Sequence, residues 1–390
     1  MASLLFDRTF RLHLLLFVIF NTFFYLFLVL FNSSVPFNFD QYSLNAHHFL
    51  PDPRINHQPF SLLSALAQYD SQWYLKIAST GYTYSPNQNA NISDKSLMGN
   101  SAFAYFPLFP LIIRVFDLFT KHLELSAFIV TQVFLLANFI SLYFVTSKLF
   151  SASVAQKTVW LFFLFPFSVF FRSYYAEGVQ LFCLIWFSYF VIKKNLLPAA
   201  FFLGALGISK GITLPLGLVY LVALKRLPLP RILLYLLIGF LPLFLWIVFN
   251  LATTQDPFFF FHVLNNWFPQ ISLPYPILNL ITILNLEKLP LHSVHSSQID
   301  ALSVCLLAFL LYKSYPKLPR VLWLISLVVW AVPLFTRDLA SFSRYQSVSF
   351  PVFVFLAQNL KPFPYLGTLS AFLVLFLITS PYFVNWYWIG

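Results

Sequence analysis

Asp70 lies in the run Ala67-Gln-Tyr-Asp-Ser-Gln-Trp-Tyr-Leu-Lys-Ile-Ala-Ser-Thr-Gly-Tyr82, just beyond the first long apolar stretch of the chain. Leu63, Leu66, Trp73 and Ile77 recur around it at helical spacing. That pattern predicts an amphipathic helix over 62–79 with Asp70 on its apolar face. The plainer role for a lone aspartate there is to cap a turn or pair with a Lys or Arg. A carboxylate beside a bilayer is costly to keep ionised, however, and ionisable residues at that depth are functional candidates by default.

Few other charges interrupt the apolar segments. Arg172 and Glu177 flank one junction, Lys210 stands in Ser209-Lys210-Gly211, and Arg337, Asp338 and Arg344 cluster at a later junction. Asp256 opens the second long polar region. Ion pairs such as Arg172–Glu177 or Arg337–Asp338, holding helix ends together, are the bland explanation. As a set with Asp70 they suit a phosphate-bearing lipid. Arg grips phosphate as a bidentate fork and Lys as a point charge. A carboxylate can take the proton of an acceptor hydroxyl as its oxygen attacks an anomeric carbon. That chemistry would need a sugar carried on a polyprenyl phosphate.

The elements that must position these residues are membrane helices. The chain is 59% hydrophobic and 9% charged, with 51 Phe, and its mean hydropathy is +0.78. A soluble domain carries about 25% charged residues. Asp7, Arg8 and Arg11 precede the apolar run Leu12–Phe31, which has no small-residue cleavage site after it and is expected to be an uncleaved first span. Further apolar runs fall at 125–147, 157–171, 175–192, 197–224, 231–251, 300–313, 321–336, 345–358 and 365–383.

Charge sets the expected topology. With 103–118 lying along the outer surface and 197–224 dipping in and returning, the inner face collects Arg8, Arg11, Lys148, Lys157, Lys193, Lys194, Lys225, Arg226, Arg231, Lys313, Lys317, Arg320 and Lys361. Only the acid Asp7 joins those thirteen, which is the positive-inside pattern. The expectation is one integral all-α polytopic domain over 1–390, with about ten transmembrane segments and a cytoplasmic N-terminus. Regions 32–124 and 252–299 then face outward. The net charge of +11 is scattered over short loops rather than gathered on one face, which argues against nucleic acid.

Other motifs carry less. His292-Ser-Val-His295, His47-His48 and His57 read as surface histidines, because no carboxylate or cysteine cluster adjoins them, and no metal is expected. Cys183 and Cys305 lie in apolar segments and give no disulfide framework. Asn91-Ile92-Ser93 fits a common glycosylation pattern. No GxGxxG or Walker A motif appears, and there is no room for a nucleotide-sugar domain.

Tyr69-Asp70-Ser-Gln-Trp73-Tyr74-Leu-Lys-Ile77-Ala78-Ser-Thr-Gly81-Tyr82, followed by Ala104-Tyr-Phe106-Pro107-Leu108-Phe109-Pro110, resembles the signature of PIG-V-type mannosyltransferases, with Tyr69 in place of a Trp. Pro166-Phe-Ser168 with Tyr174-Tyr175-Ala-Glu177, then Ile208-Ser209-Lys210-Gly211, resemble two further stretches of that family. Asp256-Pro257 with Phe260, His262 and Trp267, and Ser343-Arg344-Tyr345 with Phe350-Pro351, continue the likeness in the family's order. The resemblance implies a GT-C fold, dolichyl- or polyprenyl-phosphate mannose as donor, and inversion at the anomeric carbon; no cofactor is expected, because a single carboxylate and cationic phosphate partners suffice for the transfer. It implies Asp70 as base. Arg172, Glu177, Lys210, Arg344, Tyr345, Asp256, His262, Trp267, Trp73 and Tyr74 would bind donor phosphate or substrate. The partners would be membrane lipid, the donor, and a lipid-glycan or protein acceptor, in a bacterial or archaeal plasma membrane or the ER membrane.

Two other functions fit parts of this pattern. A transporter or lipid flippase would use polar membrane residues and a re-entrant segment, but predicts inverted repeats that the sequence does not show. Another GT-C activity, such as glycan ligation, would share the same frame.

Overall fold

The computed structural model describes residues 7–45, 49–86, 98–225, 227–267, 275–283, 297–336, 339 and 341–390. The chain is all-helical, with no strand among the described residues. The helices used below are α1 Arg8–Phe31, α2 Asp70–Thr80, α3 Leu108–Thr120, α4 Leu123–Leu149, α5 Ala152–Phe163, α6 Glu177–Ile192, α7 Leu196–Gly207, α8 Leu216–Leu224, α9 Leu229–Thr254, α10 Phe259–Trp267, α11 Ser297–Ser314, α12 Arg320–Ala331, α13 Phe350–Asn359 and α14 Pro362–Val384.

Four of these, α1, α4, α9 and α14, are long and apolar enough to cross a membrane. Asp7 caps α1, its carboxylate accepting from the Thr9 amide at 2.8 Å. Much of their apolar surface faces outward, as at Leu15, Phe23 and Leu30 of α1 and Leu233, Leu237 and Phe244 of α9. Bare apolar area of that extent calls for a covering phase, and lipid supplies it. Of the shorter apolar helices, α6 packs on α4 and α7 on α9, while α12 and α13 pack on each other and on α11.

Prolines and glycines set the local breaks. The run expected at 157–171 is helical only to Phe163, and Pro166 starts a 3-10 turn ending at Phe171. The 197–224 segment is a helical hairpin. It breaks at Ser209 and Lys210, and α8 returns beside α7, where the Tyr220 hydroxyl donates to the Leu196 carbonyl at 2.6 Å. α7 lies closely against α9. A Cβ on Gly204 would stand 2.9 Å from Pro242 Cγ and 3.2 Å from the Ile238 carbonyl, so glycine permits that approach. Within and just beyond the 103–118 segment a 3-10 turn over Ala102–Ala104 precedes the thirteen-residue helix α3, with Leu111, Val115, Leu118 and Phe119 exposed along it.

One expectation about the key segment is corrected. Residues 62–79 are not a continuous helix. A short turn Leu62–Ala65 ends before α2 begins at Asp70. Tyr69 separates them at φ 48° and ψ −115°, a conformation that L-residues rarely adopt. Asp70 is therefore the first residue of its helix, where the dipole favours a carboxylate.

Candidate functional site

Four charged side chains from four separate elements meet in a line. Asp70 opens α2, Glu177 opens α6, Lys210 stands at the apex of the α7–α8 hairpin, and Arg344 lies in the short helix Phe342–Tyr345. Arg344 Nη2 donates to Asp70 Oδ2 at 2.6 Å. Its Nε donates to Glu177 Oε1 at 2.9 Å. Lys210 Nζ donates to the same Glu177 oxygen at 2.6 Å. Charges alternate along the chain: carboxylate, guanidinium, carboxylate, ammonium. Their exposure differs in a way that matters: Glu177 is 1% exposed and Arg344 4%, whereas Lys210 is 14% and Asp70 24%.

Local sequence explains the alignment. Tyr174 and Tyr175 precede Glu177, and their hydroxyls donate to the carbonyls of Leu63 at 2.9 Å and Gln68 at 3.2 Å. The start of α6 is thus strapped to the segment that delivers Asp70. The Leu108 amide donates to the Ile208 carbonyl at 3.0 Å, tying α3 to the hairpin just before Lys210. Asp300 of α11 accepts from the Ser343 amide at 2.7 Å and fixes the loop that bears Arg344. The Arg344 guanidinium stands 5.0–5.5 Å from the rings of Phe170, Tyr175, Trp388 and Tyr345. Such contacts favour a desolvated cation.

The cluster forms part of the wall of a cavity of about 460 Å³, within the roughly 300–1,000 Å³ of small-molecule sites. Asp70, Lys210 and Arg344 line it together with Tyr74, Tyr105, Ser209, Tyr345 and Trp388. Most of the remaining wall is apolar, with Phe106, Ile212, Leu214, Pro215, Phe260, Phe261, Leu264, Val332, Pro333 and Phe335, and Thr336 and Ser341 add two hydroxyls. Asp70 is the one acidic residue in that lining among the described residues. The Tyr105 hydroxyl donates to Asp70 Oδ1 at 3.2 Å. Burial, with the Asp70 charge adding to it, holds the Tyr105 hydroxyl well above its ordinary pKa, so it stays a donor.

No family model, curated protein or solved structure matches the chain.

Asp70, Tyr74, Lys210, Arg344 and Tyr345 come together in the cavity wall. Glu177 belongs to the cluster but lies behind that wall, so its contact is with the two cations rather than with the cavity. Arg172 is a correction. It is wholly buried and is not among the cavity lining. Its Nε donates to Asn21 Oδ1 at 2.7 Å, and its other nitrogens donate to Ser168 and to the Phe163 carbonyl. It does not pair with Glu177, because the chain turns between them and the guanidinium points toward α1. Asp256 and His262 are a second correction: they pair with each other at 2.6 Å, largely exposed, outside the lining. Trp73 also stands outside it, its ring stacked on Tyr105 at 5.6 Å.

The side chain of Trp267, and Arg337, Asp338, His47, His48, His292 and His295, lie outside the described residues. No group of three or more potential metal ligands occurs among the described residues. Among the lining residues that sequence reasoning missed are Tyr105 and Trp388. Tyr105 sat unremarked inside the Ala104-Tyr-Phe106 motif, and Trp388 lies in an aromatic terminal stretch with no periodicity to read.

Proposed function

We propose that the chain is an inverting glycosyltransferase of GT-C type. It moves mannose, or a similar hexose, from a polyprenyl- or dolichyl-phosphate donor to a hydroxyl of a lipid-linked glycan or protein. One observation carries this reading: a single carboxylate, Asp70, faces a largely apolar cavity beside two cations, Lys210 and Arg344. The carboxylate supplies a proton acceptor and the cations supply charge for a departing phosphate. The aromatic and aliphatic wall suits a sugar ring and the first units of an isoprenoid.

In this mechanism the acceptor oxygen attacks the anomeric carbon from the face opposite the phosphate. The carbon–phosphate-oxygen bond breaks with its electron pair on the leaving phosphate. The acceptor proton passes to Asp70. Lys210 and Arg344 stabilise the additional negative charge on the phosphate. No cofactor is required.

The proposed topology puts the site on the outer or lumenal face and the N-terminus inside. Helix directions support it. α6 begins at Glu177 and is followed at its far end by Lys193 and Lys194. α11 carries Asp300 in its first turn and Lys313 in its last. α14 starts after Lys361 and runs toward Trp388. The basic residues therefore gather at the end remote from the cavity. The test is reconstitution of the purified chain in vesicles with labelled polyprenyl-phosphate mannose. Labelled lipid or protein supports the reading. Movement of substrate across sealed vesicles with no new glycosidic product overturns it in favour of transport.

A further inference from the structure

The four-residue cluster is charge-balanced: two carboxylates face two cations. It therefore holds no surplus positive charge for an anionic ligand, although Lys210 and Arg344 line the cavity. The two cations also differ in how they are held. Arg344 is clamped on both sides, by Asp70 and by the buried Glu177. The Glu177 contact lies behind the wall, whereas Asp70 is the most exposed of the four and lines the cavity.

We propose that Arg344 is exchanged between Asp70 and the phosphate of the incoming ligand. This rests on the glycosyltransferase reading above. In the resting protein the 2.6 Å pair engages Asp70 Oδ2 and keeps that oxygen from an acceptor hydroxyl. A phosphate entering beside Lys210 takes the outer Arg344 donor and releases Asp70 toward the acceptor. Glu177 keeps Arg344 and Lys210 in place during the exchange and is a positioning residue. The charges balance through the reaction. A phosphodiester monoanion leaves as a monoester dianion, and the proton that Asp70 gains offsets that change.

Removing the base should therefore tighten binding of the phosphate. In Asp70→Asn the resting competitor for Arg344 is gone, and the freed charge-assisted hydrogen bond serves the ligand alone. Farnesyl phosphate should bind Asp70→Asn about tenfold more tightly than the native chain, read by quenching of tryptophan fluorescence in lipid nanodiscs. Asp70→Ser should do the same, which guards against a fault peculiar to one substitution. Asp40→Asn removes an exposed acid far along the chain and should leave binding unchanged. In the native protein, adding farnesyl phosphate should shift the infrared band of an ion-paired carboxylate.

Binding by the native chain with no tightening in either Asp70 variant, and no infrared shift, overturns the exchange while leaving the glycosyltransferase reading in place. Failure of the native chain and both variants to bind farnesyl phosphate overturns both. Equal tightening in Asp40→Asn reduces the effect to bulk charge and also overturns the exchange.

Discussion

Glu177 is the part of the cluster whose removal should be felt most in stability. Its carboxylate is 1% exposed and one oxygen receives both Lys210 Nζ and Arg344 Nε. Glu177→Gln keeps the shape and an acceptor oxygen but removes the charge. Lys210 is then a nearly buried ammonium with no counter-ion at hand, while Arg344 retains Asp70. Breaking a buried pair from one side costs about 3–5 kcal/mol, because the remaining charge is left uncompensated. Lys210→Met should cost less, about 1.5–3 kcal/mol, since Glu177 still holds Arg344 and only one charged hydrogen bond is lost. The double variant should recover part of that loss. With Lys210 gone, the neutral amide at position 177 no longer strands an ammonium, and residues in one network couple by roughly 1–3 kcal/mol. The assay is denaturant unfolding of the four proteins in matched detergent, followed by tryptophan fluorescence. Losses that add to within about 0.5 kcal/mol would refute the reasoning, since that is the behaviour of independent sites.

Other consequences follow from neighbouring contacts. Arg172→Lys should lower stability by about 2–4 kcal/mol, because one ammonium cannot reach Asn21, Ser168 and Phe163 together; sugar transfer per folded molecule should be retained, and comparing unfolding with specific activity checks both. Tyr105→Phe removes one hydroxyl donor to Asp70 while keeping the ring against Trp73, so turnover should fall about fivefold with little change in unfolding. Gly204→Val should destabilise by about 1–3 kcal/mol through collision with Pro242 and the Ile238 carbonyl, measured by the same unfolding assay.

The chemistry of the site was more legible than its geometry. Asp70, Glu177, Lys210 and Arg344 stand out in sequence because ionisable residues are scarce in such an apolar chain. Their spacing does not say which will touch, since the contacts span 33 to 274 positions. Arg172 and Glu177 look like partners at five residues apart, yet after the turn between them Arg172 meets Asn21 and Glu177 meets Lys210 and Arg344. The break before Asp70 left no mark in the apolar periodicity, because a positive φ at Tyr69 is imposed by surrounding packing, where Trp386 and Trp388 stand about the ring. The hairpin at Lys210 was foreseeable, since a polar trio interrupts an apolar run with basic residues at both ends. The end of α5 at Phe163, shortly before Pro166, follows the ordinary rule for proline.

The central claim is that Asp70 accepts the proton of the attacking hydroxyl. Its most direct test is the rate of sugar transfer from polyprenyl-phosphate mannose by folded Asp70→Asn, beside the native chain, at saturating donor. The rate should fall about 10²–10⁴-fold, as expected for loss of a general base, with donor still bound. Transfer at an undiminished rate would contradict it.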